Sequence, residues 1–163
     1  TTLCNYCYKC MYSIYREQHL PIPIEEAWDF FSNPSNLSRI TPNNLGFQVL
    51  GDTPESMYPG LFIHYKVSPL FGIPLRWTTE ITHVEPCKYF VDEQRVGPYS
   101  IWHHEHFFEK TKDGVFMKDH VHYKMPLGLL GKIVHPLIVK PRLNEIFNYR
   151  FDVAEKIFSS NLK

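Results

Sequence analysis

The segment WHHEHFF, residues 102–108, places three histidines and one glutamate within four consecutive positions. Five of the nine histidines of the chain lie between positions 103 and 122. Imidazole and carboxylate groups bind zinc, and histidine can move protons near neutral pH. The segment therefore raises three hypotheses: a metal site, a catalytic base, or the polar wall of a binding site.

A second group, CNYCYKC, spaces Cys4, Cys7 and Cys10 so that their thiolates could bind one zinc ion or an iron–sulfur cluster. The fourth cysteine, Cys87, is distant, and Lys88 follows it in place of the proline that ends a ferredoxin-type run. We therefore favour an incidental tail over a metal site here. Near Cys87 the sequence shows no group that would lower the pKa of its thiol.

The length of 163 residues suits one domain with a single core. We expect a poorly ordered N-terminal extension over residues 1–11 and a single domain over residues 12–163. Aromatic residues make up 15% of the chain, enough to fill a core or to line a cavity for an apolar ligand.

Acidic and basic residues balance at 17 each, so nucleic acid is not an expected partner. No apolar run reaches the roughly 18 to 20 residues of a membrane span, and no secretory signal pattern opens the chain. We predict a cytoplasmic protein without integral membrane association. The GxGxxG, Walker and GxSxG patterns are absent, so no nucleotide cofactor and no nucleophilic serine are expected.

The period of the apolar residues predicts the order of the elements. Residues 12–21 alternate as a strand, and residues 24–33 follow helical spacing. Asn33 and the proline after it predict the start of a second short helix. Residues 45–125 contain about six further strands, and residues 130–158 keep helical spacing. Such an antiparallel sheet, crossed by one long helix, encloses a volume lined by both elements.

The long helix contains Pro136 and Pro141, which must interrupt or kink it. Leu127, Leu129 and Leu130 precede it. These leucines could gate the cavity, contact a membrane surface, form a dimer patch, or pack as a turn on the end of the sheet.

Four segments carry a resemblance to a known superfamily: LPIPIEEAWDFFSNPSNLSRITP, YPGLFIHYKVSPLFGIPLRWTTEITHVEP, YFVDEQRVGPYSIWHHEHFFE and DHVHYKMPLG. Together with the element order, from about Tyr12 to Phe158, they resemble the helix-grip fold of the SRPBCC superfamily. That superfamily includes START lipid-transfer domains, polyketide cyclases and the major birch pollen allergen. The resemblance implies an α+β fold with a curved sheet of about seven strands, two short helices and a long C-terminal helix around a cavity.

Side chains alternate along a strand, so adjacent histidines cannot share a face. Trp102 and Phe108 mark the apolar set of the WHHEHFF strand, which assigns His104 and His106 to the cavity face. By the same reasoning the following strand turns Met117, Asp119, Val121 and Tyr123 inward. The outward positions are then those of His103, Glu105, His120 and His122.

The Asp113–Gly114 pair predicts a two-residue hairpin between these strands. That hairpin pairs His104 with Tyr123, His106 with Val121, Phe108 with Asp119, and, on the outer face, Glu105 with His122. Asp119 would then lie one step beyond His106. For this reason the sequence assigns no metal to the histidines.

The preceding strand is placed by the superfamily resemblance, which implies that Phe90, Asp92 and Gln94 point inward. A two-residue turn at Gly97–Pro98 would pair Asp92 with His103, whereas a connection of odd length or a bulge would pair it with His104. We expect the odd connection.

The leading hypothesis is a carrier or sensor, not an enzyme, that binds a small apolar or amphipathic molecule between the sheet and the helix. A cyclase-like, dehydratase-like or hydrolase-like enzyme with His104 or His106 as base is the alternative, and an interaction module with a filled cavity is the third hypothesis. No catalytic residue and no cofactor are assigned. The expected ligand-binding residues are Trp77, Phe90, Asp92, Gln94, Trp102, His104, His106, Phe108, Asp119, Val121, Tyr123, Ile146 and Phe147.

Overall fold

The computed structural model describes residues 11–69 and 72–159. Cys4, Cys7 and Cys10, with the rest of residues 1–10, lie outside the described residues, so the predicted extension stays a prediction. The strands are β1 (Tyr12–Leu20), β2 (Gln48–Leu50), β3 (Leu61–Val67), β4 (Leu75–Glu85), β5 (Tyr89–Val96), β6 (Ile101–Lys110) and β7 (Val115–Lys124). The helices are α1 (Ile24–Phe31), α2 (Gly128–Val134) and α3 (Lys140–Ser159), with 3-10 segments at Pro34–Ile40 and Asn43–Leu45.

All seven strands join one antiparallel sheet in the order β1-β7-β6-β5-β4-β3-β2. Strands β2 to β7 form a meander, and β1 returns to pair with β7 along its full length. The predicted α+β helix-grip fold is confirmed.

The two short helical segments form where the sequence places helix-start signals. Glu25 and Glu26 occupy the first turn of α1, where the helix dipole favours negative charge. Asn33 caps the following 3-10 helix by accepting a hydrogen bond from the Ser35 amide at 2.9 Å. The buried side of α1 presents Trp28 to the sheet, where its ring meets Phe108 edge to face. This packing covers one end of the sheet.

The C-terminal helical region is interrupted at Pro136, as predicted. Helix α2 ends at Val134, and a π-helical turn over His135–Val139 leads into α3. A proline has no amide proton to donate, so a widened turn accommodates the missing hydrogen bond. The interruption lets Leu143 and Phe147 of α3 lie buried against the sheet.

The apolar side chains before and within α2 point into solvent. Leu127 and Leu129 are each 74% exposed, and Leu130 is 56% exposed. These three side chains therefore do not pack on the end of the sheet, which was one of the alternatives that the sequence left open. In the ranges that the structure describes, no helix combines the length and apolar character that a membrane crossing requires.

The predicted register between β6 and β7 is wrong by two residues. His104 faces Val121, His106 faces Asp119, Phe108 faces Met117, and on the outer face Glu105 faces His120. The connection contains four residues, and the Thr111 amide donates to the Gly114 carbonyl at 2.9 Å. A Cβ atom at Gly114 would lie 2.1 Å from the Leu20 carbonyl oxygen. Position 114 therefore requires glycine because β1 approaches it closely, and not because it forms a two-residue hairpin.

A candidate binding cavity with a buried histidine–aspartate cluster

A cavity lies between the sheet and α3. The volume of this cavity is about 150 Å³. Strands β3 to β6, helix α3 and both 3-10 segments supply the walls, most of which are aliphatic or aromatic. The polar wall residues include Asp92, His104 and His106.

Three neighbouring strands bring together what we call the inner cluster: Asp92, His104, His106 and Asp119. Asp92 on β5 faces His104 on β6, and His106 faces Asp119 on β7. The expected pairing of Asp92 with His104 is thus confirmed. Asp92 Oδ2 lies 3.3 Å from His104 Nδ1 and 2.9 Å from His106 Nε2. Asp119 Oδ1 lies 3.1 Å from His104 Nε2 and 2.9 Å from His106 Nδ1.

Each imidazole of the inner cluster therefore has one nitrogen against Asp92 and the other against Asp119. The two rings lie 3.7 Å apart, centroid to centroid. Their side chains are 4% and 8% exposed, and those of the aspartates are 15% and 14% exposed. Two carboxylates and two neutral imidazoles would leave two negative charges in this buried position, which is unfavourable without compensation. Protons on the rings or a bound cation would compensate these charges.

The members of the inner cluster change one another's protonation. Burial by itself would raise the pKa of Asp92 and of Asp119, but the charges and hydrogen bonds of the two histidines hold both pKa values well below the usual range. Burial by itself would lower the pKa of His104, but the charge of Asp92 and the hydrogen bonds to both aspartates raise it. Both carboxylates are therefore ionised in the folded protein.

Two buried side-chain nitrogens have no hydrogen-bond acceptor among the residues that the structure describes: Trp77 Nε1 and Arg150 Nε. Both residues line the cavity. The Trp77 ring stacks beside Tyr65, and the charge of Arg150 acts on the pKa of the same tyrosine. Native proteins rarely leave such donors unpaired, so these two mark a place where an acceptor is missing.

The structure places eight of the thirteen predicted ligand-binding residues on the cavity wall. The eight are Trp77, Phe90, Asp92, Trp102, His104, His106, Ile146 and Phe147. The side chain of Gln94 instead holds the β5–β6 connection, where it donates to the Tyr99 carbonyl and accepts from the Tyr99 amide.

The other four predicted residues lie on the inner face but away from the cavity. Phe108 packs against Trp28 in the core under α1. Val121 and Tyr123 are buried in a second core cluster with residues of α3. Asp119 lies behind the histidines, where it lines a much smaller space of about 20 Å³. Inward orientation was thus predicted correctly, but the cavity occupies only part of the inner face.

The sequence reasoning missed Arg150. Arg150 lies three residues after Phe147 and four after Ile146, which places all three on one side of α3. A single arginine in that apolar stripe was the available signal. Tyr65 also lines the cavity and was not among the predicted ligand-binding residues.

Cys87 is not an activated nucleophile in this structure. Burial and the nearby carboxylates of Glu25 and Asp29 raise the pKa of its thiol. This agrees with the expectation from the sequence that nothing lowers it.

The fold is similar to solved structures of low sequence identity. The protein TTHA0849 from Thermus thermophilus matches with a TM-score of 0.66 and 14% identity over 93% of this chain and 100% of that chain. A norcoclaurine synthase point mutant of Thalictrum flavum, solved with a transition-state analogue, matches with a TM-score of 0.66 and 15% identity over 94% of this chain and 97% of that chain. The di-domain ARO/CYC protein StfQ of the steffimycin biosynthetic pathway matches with a TM-score of 0.66 and 9% identity over 93% of this chain and 52% of that chain.

A search of curated proteins found no match to this chain. The family model described as polyketide cyclase / dehydrase and lipid transport matches residues 20–147. That range includes strands β2 to β7, the inner cluster and the start of α3. The chain therefore belongs to the polyketide cyclase/dehydrase and lipid transport family, within the SRPBCC superfamily.

Proposed function

We propose that the protein binds a small amphipathic molecule in the cavity between the sheet and α3, as a carrier or sensor. The observation that carries the proposal is an apolar cavity with two unpaired buried donors, Trp77 Nε1 and Arg150 Nε. An unsatisfied buried donor costs about 1–3 kcal/mol. A ligand with an oxygen acceptor would remove that cost on binding.

The chemistry of the two donors narrows the class of ligand. Indole and guanidinium groups donate hydrogen bonds and accept none. The polar end of the ligand must therefore accept, and the positive charge of Arg150 favours a carboxylate over a neutral carbonyl. The rest of the ligand would lie against aromatic walls such as Trp102 and Phe147.

The size of the cavity favours a small ligand. An apolar cavity of about 150 Å³ accepts a single aromatic ring, whereas pockets for drug-sized molecules occupy roughly 300–1,000 Å³. Burial of ~300 Å² of apolar ligand surface at ~25 cal/mol per Å² contributes about 7 kcal/mol before association costs, which is compatible with micromolar binding. The open volume also counts against an interaction module whose own side chains fill the cavity.

The comparisons support binding of this kind without naming the ligand. The family description includes lipid transport, and a Thalictrum flavum protein of similar fold was solved in complex with a transition-state analogue. In this chain Arg142 donates to the Pro69 carbonyl at 3.1 Å, and Asn44 donates to Glu145 at 3.3 Å. These contacts connect α3 to segments beside the cavity.

The test compares two probes with the same apolar chain on the purified full-length protein. Octanoate offers acceptor oxygens, and heptyltrimethylammonium offers none. Calorimetry should show octanoate binding at least about tenfold more tightly, since one satisfied charged hydrogen bond is worth roughly 1.5–3 kcal/mol. Arg150→Met should remove most of that preference. Equal affinity of the wild-type protein for both probes would contradict the proposed polar end.

A variant that fills the cavity locates the binding site. Ile146→Trp adds bulk at the cavity wall, and Asn148→Trp adds the same side chain on the exposed side of α3. Only the first should abolish octanoate binding. Native mass spectrometry of both variants and the wild type should show any co-purified molecule lost from Ile146→Trp alone. Octanoate binding that survives Ile146→Trp would place the site elsewhere.

A further inference from the structure

We propose that Asp92, His104 and His106 bind one divalent metal ion of the Zn²⁺ type, and that Asp119 positions the two histidines. This goes beyond the proposed ligand binding and does not depend on it. The sequence disfavoured a metal because the predicted register separated Asp119 from His106. The observed register places these two residues opposite each other.

The ligand atoms already stand close to the spacing that a metal requires. One atom from each of Asp92, His104 and His106 lies within 4.8 Å of the others. Bonds of about 2.1 Å from zinc to nitrogen or oxygen put neighbouring ligand atoms about 3.4 Å apart in a tetrahedral site. Asp92 Oδ2 is 3.3 Å from His104 Nδ1 and 2.9 Å from His106 Nε2. The second distance would open by about 0.5 Å on binding.

The remaining nitrogen of each histidine faces Asp119. Its Oδ1 lies 3.1 Å from His104 Nε2 and 2.9 Å from His106 Nδ1. Histidines that ligate a metal usually donate their other N–H to a carboxylate, which fixes the tautomer and the orientation of the ring. Asp119 supplies that carboxylate to both rings at once.

The charge of the inner cluster also fits a divalent cation. Four contacts between ring nitrogens and carboxylate oxygens need four N–H groups, and therefore two imidazolium rings 3.7 Å apart. With a divalent cation on the Asp92 side, both rings are neutral, two N–H groups suffice, and the two carboxylates balance the ion. The repulsion between two adjacent cationic rings disappears.

The three ligands face the cavity and leave the ion accessible from it. Asp92, His104 and His106 line the cavity, whereas Asp119 lies behind them. Three protein ligands with one open position is the arrangement of an accessible zinc site, in contrast to the closed four-ligand arrangement of a structural one. The open position would accept an oxygen atom from a molecule in the cavity.

The experiment must isolate this site from two other sets of potential ligands. Cys4, Cys7 and Cys10 are replaced by serine, and the full-length chain carries no polyhistidine tag. The outer face also holds a set with metal-like spacing, formed by Glu105, His120 and His122. His122→Gln is therefore the matched control.

Calorimetric titration of this chain with Zn²⁺ alone should show one equivalent bound. Asp92→Asn and His106→Gln should each weaken binding more than 100-fold, and Asp119→Asn should weaken it by about 10- to 100-fold. His122→Gln should leave the affinity unchanged. With saturating Co²⁺ as the probe, Asp119→Asn should also shift the positions of the visible absorption bands. Loss of fold stability alone would lower their intensity without moving them.

Two results would overturn the proposal. One is that the chain without Cys4, Cys7 and Cys10 binds no Zn²⁺, and the other is that His122→Gln weakens binding while the inner variants do not. If the inner variants do not fold, the chain with its inner cluster intact decides the question by nitrogen NMR. On addition of Zn²⁺ the ring signals of His104 and His106 should shift, and those of His120 and His122 should not. Unchanged signals for His104 and His106 would reject the site.

Discussion

Strands β5, β6 and β7 carry histidines and carboxylates on both faces, and the two faces differ in their access to water. The inner face holds the inner cluster. The outer face holds an outer cluster of Glu93, His103, Glu105, His120 and His122, in which His103 Nδ1 lies 3.0 Å from Glu93 and His120 Nδ1 lies 3.4 Å from Glu105. His103 and His120 are each 34% exposed, against 4% for His104.

The comparison shows that neighbouring charges decide the direction in which these histidine pKa values shift, whereas burial decides how strongly the contacts act. The pKa of His104 is raised because neighbouring aspartates outweigh the burial that would lower it. The pKa of His122 on the outer face is lowered by burial and by the charge of His120. Water screens the outer pairs, so each is worth little, whereas the inner contacts act in a medium of low dielectric constant.

The largest difference between the two faces is expected in the loss of unfolding free energy when the adjacent residues Phe107 and Phe108 are replaced by alanine. Phe108 is 5% exposed in the core, and Phe107 is 37% exposed on the outer face. Phe108→Ala should lower the free energy of unfolding by about 3–5 kcal/mol, because it removes apolar contacts and leaves a cavity. Phe107→Ala should lower it by about 1 kcal/mol or less. Urea denaturation of both variants measures this, and equal losses would refute the assignment of the faces.

The next largest difference is expected in the unfolding free energy lost when a single carboxylate is removed from either face. Asp119→Ala should lower the free energy of unfolding by about 3 kcal/mol, because two buried histidines lose a shared partner. The matched outer change, Glu105→Ala, should cost below about 1 kcal/mol. Both are measured by urea denaturation at neutral pH with EDTA present, so that no bound metal contributes. A loss for Glu105→Ala as large as that for Asp119→Ala would mean that burial does not separate the clusters.

The smallest difference is in the coupling of single pairs. A double-mutant cycle on Asp92 and His106 should give a coupling free energy of about 1–3 kcal/mol, and one on Glu93 and His103 should give less than about 0.5 kcal/mol. Sodium chloride at about 1 M should remove the outer coupling and leave most of the inner one, because exposed charges are screened more strongly. An inner coupling that salt abolishes would show that water reaches the inner cluster.

Prediction from sequence succeeded where the pattern is local. Alternation along β6 separated His104 and His106 from His103 and Glu105 without knowledge of the partner strand. This result survives the error in register, because a shift of two residues returns every side chain to the same face. Pro136 likewise predicted the interruption before α3, because a missing amide proton acts within one turn.

Prediction failed where two distant parts of the chain meet. The Asp113–Gly114 pair suggested a two-residue hairpin, but the end of β1 approaches Gly114 so closely that glycine is needed for a different reason. Gln94 was expected in the cavity, yet its amide closes the connection to β6. Neither contact has a signature in the local sequence.

The sequence by itself determined the order of the elements and the side of the sheet on which each histidine lies, because apolar periodicity and strand alternation are properties of neighbouring residues. Only the tertiary structure decided that Asp119 faces His106, that both histidines lie between two aspartates, and that Arg150 Nε and Trp77 Nε1 lack acceptors. These facts depend on the packing of β1, β7 and α3 against one another, and that packing sets the register and the distances.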